Sequence, residues 1–389
     1  MTTLKPELAE FQSLKDLKPM LAAEGPCLSV YMQLKLASPT HLARQNALEW
    51  KETLGSLEGK VEQFGAQGSE LLHSVSDWET VSQNPQPPGK SIAVFRSRDV
   101  FRSTWMDGKV ASRASIEPRF HIRPLLAEVA RGRVFDILGL SRKNVRMLRC
   151  TPRSSEEVPF PTGVITSFDA WMNTAQPNRI RDNRGTPGPG AGHSKGVFFG
   201  TDKESEDWAE HLTHFYKQID RGVNEVLRDK KEPLMVAAVE YELPLYRSIN
   251  SYPHLMEESI QGAPNGLKNT ELHTRALDAR ERCYGKQIEN KLDEWNHKVG
   301  GGASNRLKEV LTAAYDGRVV TLLVSDSLET IGVFDRTTHT ARGRETGTSS
   351  DEDLVNDAAV QTILHSGQVL VVPNSKMPNG APLAAIYRF

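Results

Sequence analysis

"WAEHLTHFYKQIDRGVNEV" (208–226), followed after a charged link by "LMVAAVE" (234–240), decides how this chain is read. Trp208, Leu212, Phe215, Ile219, Val223 and Val226 step by four, three, four, four and three, which sets one apolar stripe on a helix of 3.6-residue period. Ser205 or Asp207 is placed to cap that helix. The unbroken apolar centre of 234–240 marks a strand buried on both faces, as in a sheet with helices on each side. A long amphipathic helix feeding such a strand points to a layered α/β architecture.

On the N-terminal side of this pair, "RVFDILGLS" (133–141) and "NVRMLRC" (144–150) read as two strands joined by the turn "SRKN" (141–144). The stretch 151–204 reads as one long irregular segment. It contains "NRIRDNRGTPGPGAGHSKG" (178–196), where Gly and Pro crowd together, and loops of this length are usually functional or disordered. On the C-terminal side, "ELPLYRSIN" (242–250) reads as a helix-breaking return. A charged helix is expected over 269–298, with apolar positions Leu272, Ala276, Ala279 and Cys283, then Ile288, Leu292, Trp295 and Val299. After the break "GGGA" (300–303), the order is helix (305–315), strands "RVVTLLV" and "TIGVFD", helix (353–365), and strands "QVLVVP" and "LAAIYRF". That order implies a compact αβα layer structure. The first part gives strand "CLSVYMQL" (27–34), a helix over 40–64, a Pro-rich loop over 83–90, and strands "SIAVFRS" and "VFRSTWM" turning at Arg98–Asp99.

The chain has 389 residues, long for one domain, so two or three are expected. Lys and Arg (48) balance Asp and Glu (49), so no global charge draws the chain to nucleic acid and any basic footprint must be local. Cys27, Cys150 and Cys283 have neither disulfide nor metal spacing, which fits a reducing, cytoplasmic setting. No apolar run approaches the ~18 residues of a membrane span, and the first residues lack the apolar core of a signal peptide. No cofactor motif is present.

Several candidate chemistries follow from short patterns. "GHSKG" (192–196) spells the Gly-x-Ser-x-Gly of a nucleophile elbow, with His193 and Ser194 as candidate catalytic residues. An elbow needs a buried strand before the serine, and "TPGPGA" cannot be one, so a Gly-rich loop is the simpler reading. The same loop satisfies neither the P-loop nor the Gly-x-Gly-x-x-Gly pattern. His211 and His214 sit three apart in "EHLTH", which is not a zinc-hydrolase signature, and a solvated helix face accounts for them; no metal site is expected. Basic residues are dense from 119 to 153 (Arg119, Arg123, Arg131, Arg133, Arg142, Lys143, Arg146, Arg149, Arg153), with only Glu128 and Asp136 opposing them. Arg179, Arg181 and Arg184 add a second cluster in the loop. Arginines on a hairpin turn and a Gly-rich loop suit phosphate contacts, and a solubilising surface accounts for them equally well.

Three stretches together resemble the archaeal and eukaryotic class of peptide-chain release factors. They are "HIRPLLAEVARGRVFDILGLSRKNVRMLRC" (121–150), the loop, long helix and strand of 190–240, and the C-terminal pattern from "LKEVLTAAYDGRVVTLLV" (307–324) to the last residue. The resemblance is closest to that family's bacterial and archaeal branch of uncharacterised members, with Pelota as a relative. It implies an N-terminal αβ domain (1–118), a middle domain (119–265) with mixed sheet, long helix and Gly-rich loop at 185–200, and a C-terminal αβα sandwich (266–389) like that of kink-turn RNA-binding ribosomal proteins. In release factors the loop before the long helix carries Gly-Gly-Gln; here the corresponding stretch is "GPGAGHSKGVFFG" (188–200), without it. The Asn-Ile-Lys-Ser codon-reading motif is absent as well. Pelota also lacks the tripeptide.

The expectation is therefore a translation protein that binds the ribosome, tRNA or other structured RNA, in a termination-like or rescue role. Gly190, Gly192 and Gly196 would let the loop backbone approach RNA, Lys195 would meet phosphate, and Arg142, Lys143, Arg146, Arg179, Arg181 and Arg184 would add basic contacts. Two other readings stand beside it. One is a hydrolase of esters or phosphodiesters in which His193 holds water or moves a proton. The other is a protein-interaction module docking through the C-terminal domain, which in release factors binds a partner GTPase.

Overall fold

The fold is a computed structural model that describes residues 6–8, 11, 14–23, 25–34, 39–82, 90–130, 134–175, 202–343 and 351–388. Gly190, Gly192, His193, Ser194, Lys195, Gly196, Arg179, Arg181 and Arg184 lie outside the described residues. Contacts group the chain into two compact units: Met1–Arg133 with Tyr284–Phe389, and Val134–Cys283.

The first unit begins with β1 (Glu7–Leu8), α1 (Lys18–Leu21), β2 (Cys27–Gln33), α2 (Pro39–Gly55), α3 (Glu58–Val61), α4 (Gly65–Ser74), α5 (Trp78–Ser82), β3 (Ser91–Arg96), β4 (Phe101–Met106), β5 (Arg113–Glu117) and α6 (Arg123–Ala130). The sheet order is β1-β4-β3-β2-β5. Strand alternation divides its side chains. Leu28, Val30 and Met32 pack with Trp50, Leu54, Leu71 and Trp78, whereas Cys27, Tyr31, Ala93 and Phe95 face α1, α6 and the C-terminal helices. Trp50 is fully buried, and its indole N–H donates to the Val75 carbonyl at 2.8 Å.

The second unit holds β6 (Phe135–Gly139), β7 (Arg146–Cys150), β8 (Ser155–Val158), α7 (Phe168–Ala175), α8 (Asp202–Val226), β9 (Leu234–Ala238), α9 (Glu242–Ile249), β10 (Leu255–Gln261) and the first half of α10 (Asn269–Lys298). Its sheet order is β10-β9-β6-β7-β8. β6, β9 and β10 run parallel, and β7 and β8 add antiparallel. β9 is buried on both faces, as its apolar run predicts. Leu234, Val236 and Ala238 meet α7, α8 and α9; Met235 and Ala237 meet Leu272, Ala276 and Ala279 of α10. The stripe read from the sequence of α8 is the one buried, with Leu212, Phe215, Ile219 and Val223 at its centre.

The chain re-enters the first unit through the second half of α10, then β11 (Ala303–Ser304), α11 (Leu307–Tyr315), β12 (Val319–Ser325), β13 (Ile331–Asp335), β14 (Thr340–Gly343), β15 (Glu352–Asp353), α12 (Leu354–Leu364), β16 (Gln368–Val372) and β17 (Leu383–Tyr387). A four-stranded sheet, β11-β17-β12-β16, lies between α11 and α12 on one face and Tyr284, Ile288 and Trp295 of α10 on the other. This is the expected αβα sandwich. Among the described residues no helix is long and apolar enough to cross a membrane.

Some local expectations are corrected. The stretch read as irregular from residue 151 contains β8 and α7. β8 pairs with β7 despite its acidic "SEEV", because backbone pairing on a sheet edge tolerates polar side chains. The segment "ELPLYRSI", read as helix-breaking, is helix α9. Pro244 falls in its first turn, where a missing N–H costs no intrahelical bond, and Leu243 and Tyr246 are buried. α8 starts at Asp202, so Ser205 and Asp207 lie inside the helix and not at its cap. The helix expected over 40–64 breaks after Gly55 into shorter turns.

Residues 117–123 and 352–357 clasp the first unit's two chain segments together. Buried Asn356 accepts the Ile122 N–H at 2.8 Å and donates to the Phe120 carbonyl at 2.9 Å. Asp353 caps α12 by accepting the Val355 N–H at 3.2 Å, accepts the Thr330 N–H at 3.1 Å, and faces the Arg123 guanidinium at 3.4 Å. Arg123 and Arg113 both reach Glu329. Arg119 lies 3.3 Å from both Glu352 and Asp357, and Tyr315 donates to Asp357 at 2.7 Å. His121, Glu329 and Asp353 place potential ligand atoms within 4.8 Å of one another. The guanidiniums of Arg113 and Arg123 already face both carboxylates, and a cation there would meet their repulsion. Burial, with Arg113 and Arg123 adding to it, holds the His121 imidazole well below its usual pKa and therefore neutral.

Two predictions follow from the clasp. Asn356→Ala strips partners from two buried backbone groups and is expected to cost about 2–6 kcal/mol in urea unfolding; a cost below about 0.5 kcal/mol would mean the clasp does not hold the unit. Burial, then the neighbouring Asp357, pushes the Glu352 carboxyl from 4.5 up to about 8. A raised carboxyl pKa means the fold favours the protonated form. Its contribution is complete below pH 4.5 and is lost as pH rises through about 8. Glu352→Gln should flatten the thermal-midpoint profile across that window, and an unchanged profile would contradict the assignment.

Candidate nucleic-acid interface

The parallel strands β6, β9 and β10 end at one edge of the second unit's sheet. Because α8 leads back into the start of β9, its N-terminal end lies at that same edge. In open α/β sheets this carboxyl edge is where ligands are commonly held, because loops, not side-chain-filled core, line it. α8 begins here, at Asp202, which follows the Gly-rich stretch in sequence.

The β6–β7 turn at this edge is fixed from several sides. Leu140 N–H donates to the Ala237 carbonyl at 2.8 Å and Val145 N–H to the Thr166 carbonyl at 2.7 Å. Phe168 N–H, at the start of α7, donates to the Arg142 carbonyl at 2.8 Å. Asn265 donates to the Ser141 hydroxyl. Arg146 donates to Asn269 Oδ1 at 2.8 Å and to the carbonyls of Pro264 and Leu267 at 2.9 and 2.6 Å. Its guanidinium thus ties the turn to the segment after β10.

Arg142 leaves the turn toward solvent. Its guanidinium carbon lies 4.4 Å from the Trp208 ring centroid and 5.3 Å from that of Tyr241. It donates to the Tyr241 hydroxyl and lies 3.5 Å from buried Glu242, to which Tyr241 also donates at 3.1 Å. Phe168 supports Trp208 with ring centroids 4.9 Å apart, and Trp171 and Phe215 complete the aromatic cluster. The surface carries the Arg142 side chain at 41% exposure, Trp208 at 40% and Tyr241 at 55%, with Lys143 exposed beside them. Cation–π stacking and the buried carboxylate hold the guanidinium in one orientation before any ligand arrives.

The dense basic stretch of 119–153 does not form one patch. Arg119 and Arg123 belong to the clasp of the first unit. Arg149 pairs across strands with buried Asp136 at 3.2 and 3.3 Å. Arg153 is exposed in the β7–β8 turn, at the other end of β7, and Arg131 and Arg133 lie outside the described residues. His214 is exposed, 3.7 Å from Glu210, and His211 is half-buried. Arg142, Lys143 and Arg146, grouped in the sequence reading, lie on or beside the β6–β7 turn, with Arg146 donating to Asn269, Pro264 and Leu267. That reading missed Trp208 and Tyr241 as surface groups. The available signal was position: Tyr241 follows the end of β9 as Arg142 follows the end of β6. A cleft of about 420 Å³ beside β10 is lined by Glu257, Glu258 and Asp278 together with Arg275 and Arg282, a mixture of signs that selects no single charged ligand.

Residues 134–318 match the model of bacterial archaeo-eukaryotic release factor family 3. No curated protein matches the chain. Among solved structures, the archaeal translation termination factor aRF1 is 15% identical, with 97% of this chain and 98% of that chain covered and a TM-score of 0.23. Ribosome-bound archaeal Pelota, determined with ABCE1, is 16% identical, with 99% and 95% covered and a TM-score of 0.38. Dom34 of S. cerevisiae, described as a termination-like factor interacting with Hbs1, is 15% identical, with 77% and 79% covered and a TM-score of 0.36. The match to 134–318 takes in the whole second unit, so this part of the chain is similar to the release-factor-like proteins of the bacterial archaeo-eukaryotic type.

Proposed function

We propose that this chain is a translation factor of release-factor type that binds the ribosome or structured RNA through the carboxyl edge of its middle sheet, in a termination-like or rescue role that does not use Gly-Gly-Gln. The observation that carries this reading is the gathering of Arg142, Lys143, Trp208 and Tyr241 at the carboxyl edge where α8 begins. Phosphate contacts supply most of the affinity in such complexes, and aromatic faces accept unstacked bases. In this reading Gly190, Gly192 and Gly196 permit close backbone approach, Lys195, Arg179, Arg181 and Arg184 meet phosphates, and His193 and Ser194 form the polar tip. The described elements flanking the segment are helices α7 and α8, a setting that gives the Gly-x-Ser-x-Gly pattern no support as a nucleophile elbow.

Ribosome co-sedimentation at low and moderate salt tests the reading. Pelleting should weaken as salt rises, and the combined His193→Ala, Ser194→Ala and Lys195→Ala variant should bind more weakly with a salt slope lower by about 1. Absence of pelleting with ribosomes and with both subunits at every salt concentration would contradict it.

A further inference from the structure

We propose that Tyr241, Arg142 and Lys143 form a site for one unpaired nucleotide of single-stranded RNA, with the base stacked on the Tyr241 ring and its phosphate held by Arg142 and Lys143. The proposal rests on the RNA-binding reading above and adds to it a ligand class and a named contact for each of its parts.

Four observations converge on this site. Tyr241 is 55% exposed, yet its hydroxyl is tied to Arg142 and Glu242, so the ring is presented in a fixed orientation. An exposed aromatic ring that is also immobilised offers stacking area at little entropic cost. Arg142 is stacked on Trp208 and backed by Glu242, whose side chain is only 3% exposed. Its position is therefore set without a ligand, while the side chain as a whole stays 41% exposed. Lys143 is exposed next to it, on a turn whose backbone is pinned by α7 and by Asn265. Finally, the three residues follow the carboxyl ends of adjacent parallel strands, β6 and β9. Glu242 offsets part of the Arg142 charge, so Lys143 supplies the larger share of the salt-sensitive attraction and Tyr241 supplies the preference for a base. Trp208 acts as a positioning residue for Arg142.

The test uses the full chain and a short fluorescein-labelled single-stranded RNA, with an abasic strand of equal length as the control, read by fluorescence anisotropy. The RNA should bind more tightly than the abasic strand. Tyr241→Ala should weaken RNA binding by about tenfold, within the range expected for one stacked base, and leave the abasic strand unaffected. Tyr241→Phe, which keeps the ring, should retain most of the affinity, and this variant separates stacking from any loss of fold. Lys143→Ala should weaken both strands and lower the salt slope by about 1. Equal binding of RNA and abasic strand, or a Tyr241→Ala variant that binds RNA as the wild type does, would overturn the site. Ribosome pelleting distinguishes the two levels: pelleting retained without base-dependent RNA binding removes this site alone, whereas loss of pelleting by the wild-type chain removes the broader reading.

Discussion

A single buried amide, that of Asn356, joins segments that lie 236 residues apart in the chain by satisfying the Phe120 carbonyl, and it takes the Ile122 N–H as well. These two backbone groups follow β5, the edge strand of the N-terminal sheet among the described residues, and pair with the Asn356 amide. Without Asn356 they would be buried and unsatisfied, a cost that a marginally stable unit carries poorly. Around the amide, Arg113, Arg119 and Arg123 meet Glu329, Glu352, Asp353 and Asp357. Glu352 is held protonated at neutral pH by its burial, and the buried ion pairs among the rest add little net stability over an apolar contact, but losing one partner strands the other. The charges therefore act mainly as a register, admitting one docking of α12 against the segment after β5.

Closing the first unit from both chain ends has a consequence for the residues between. The middle unit departs after α6 and returns through the continuous helix α10, so it carries its own sheet and its own two-faced core. Its parallel strands gather three loop-bearing ends at one edge, and α8 begins there. The aromatic and cationic groups at that edge are not independent surface residues. Trp208 is the first member of the apolar stripe on α8, Arg142 is fixed by the β6–β7 turn, and Tyr241 begins the turn into α9. The packing that buries the core of this unit also aims these three side chains.

Most of the architecture is legible in the sequence because period and burial agree. The α8 stripe, the two-faced β9, the β6–β7 hairpin and the αβα order of the last part all follow from it. The elements that escaped reading are polar or carry a misleading residue. β10, with "MEESIQ", is mostly polar; β5, with "RASIE", alternates over only five residues with two apolar ones, Ala114 and Ile116; α9 hides behind Pro244. The basic stretch shows a different limit. Nine cations between 119 and 153 look like one surface, but three-dimensional pairing sends Arg119, Arg123, Arg146 and Arg149 inward to carboxylates and carbonyls. Charge density along a chain does not distinguish an arginine that binds a ligand from one that binds its own fold. Partner geometry sorts the others: Lys143 and Arg153 are exposed, and Arg142, though held by Trp208, Tyr241 and Glu242, keeps a 41% exposed side chain.

The most direct test of the account is ultraviolet crosslinking of the intact protein to ribosomes, followed by mass spectrometry of the peptides that carry nucleotide adducts. The account predicts adducts on the peptides containing Arg142–Lys143, Trp208 and Tyr241, concentrated in the second unit and reduced by raised salt. Adducts confined to the first unit, with none on those peptides, would contradict it.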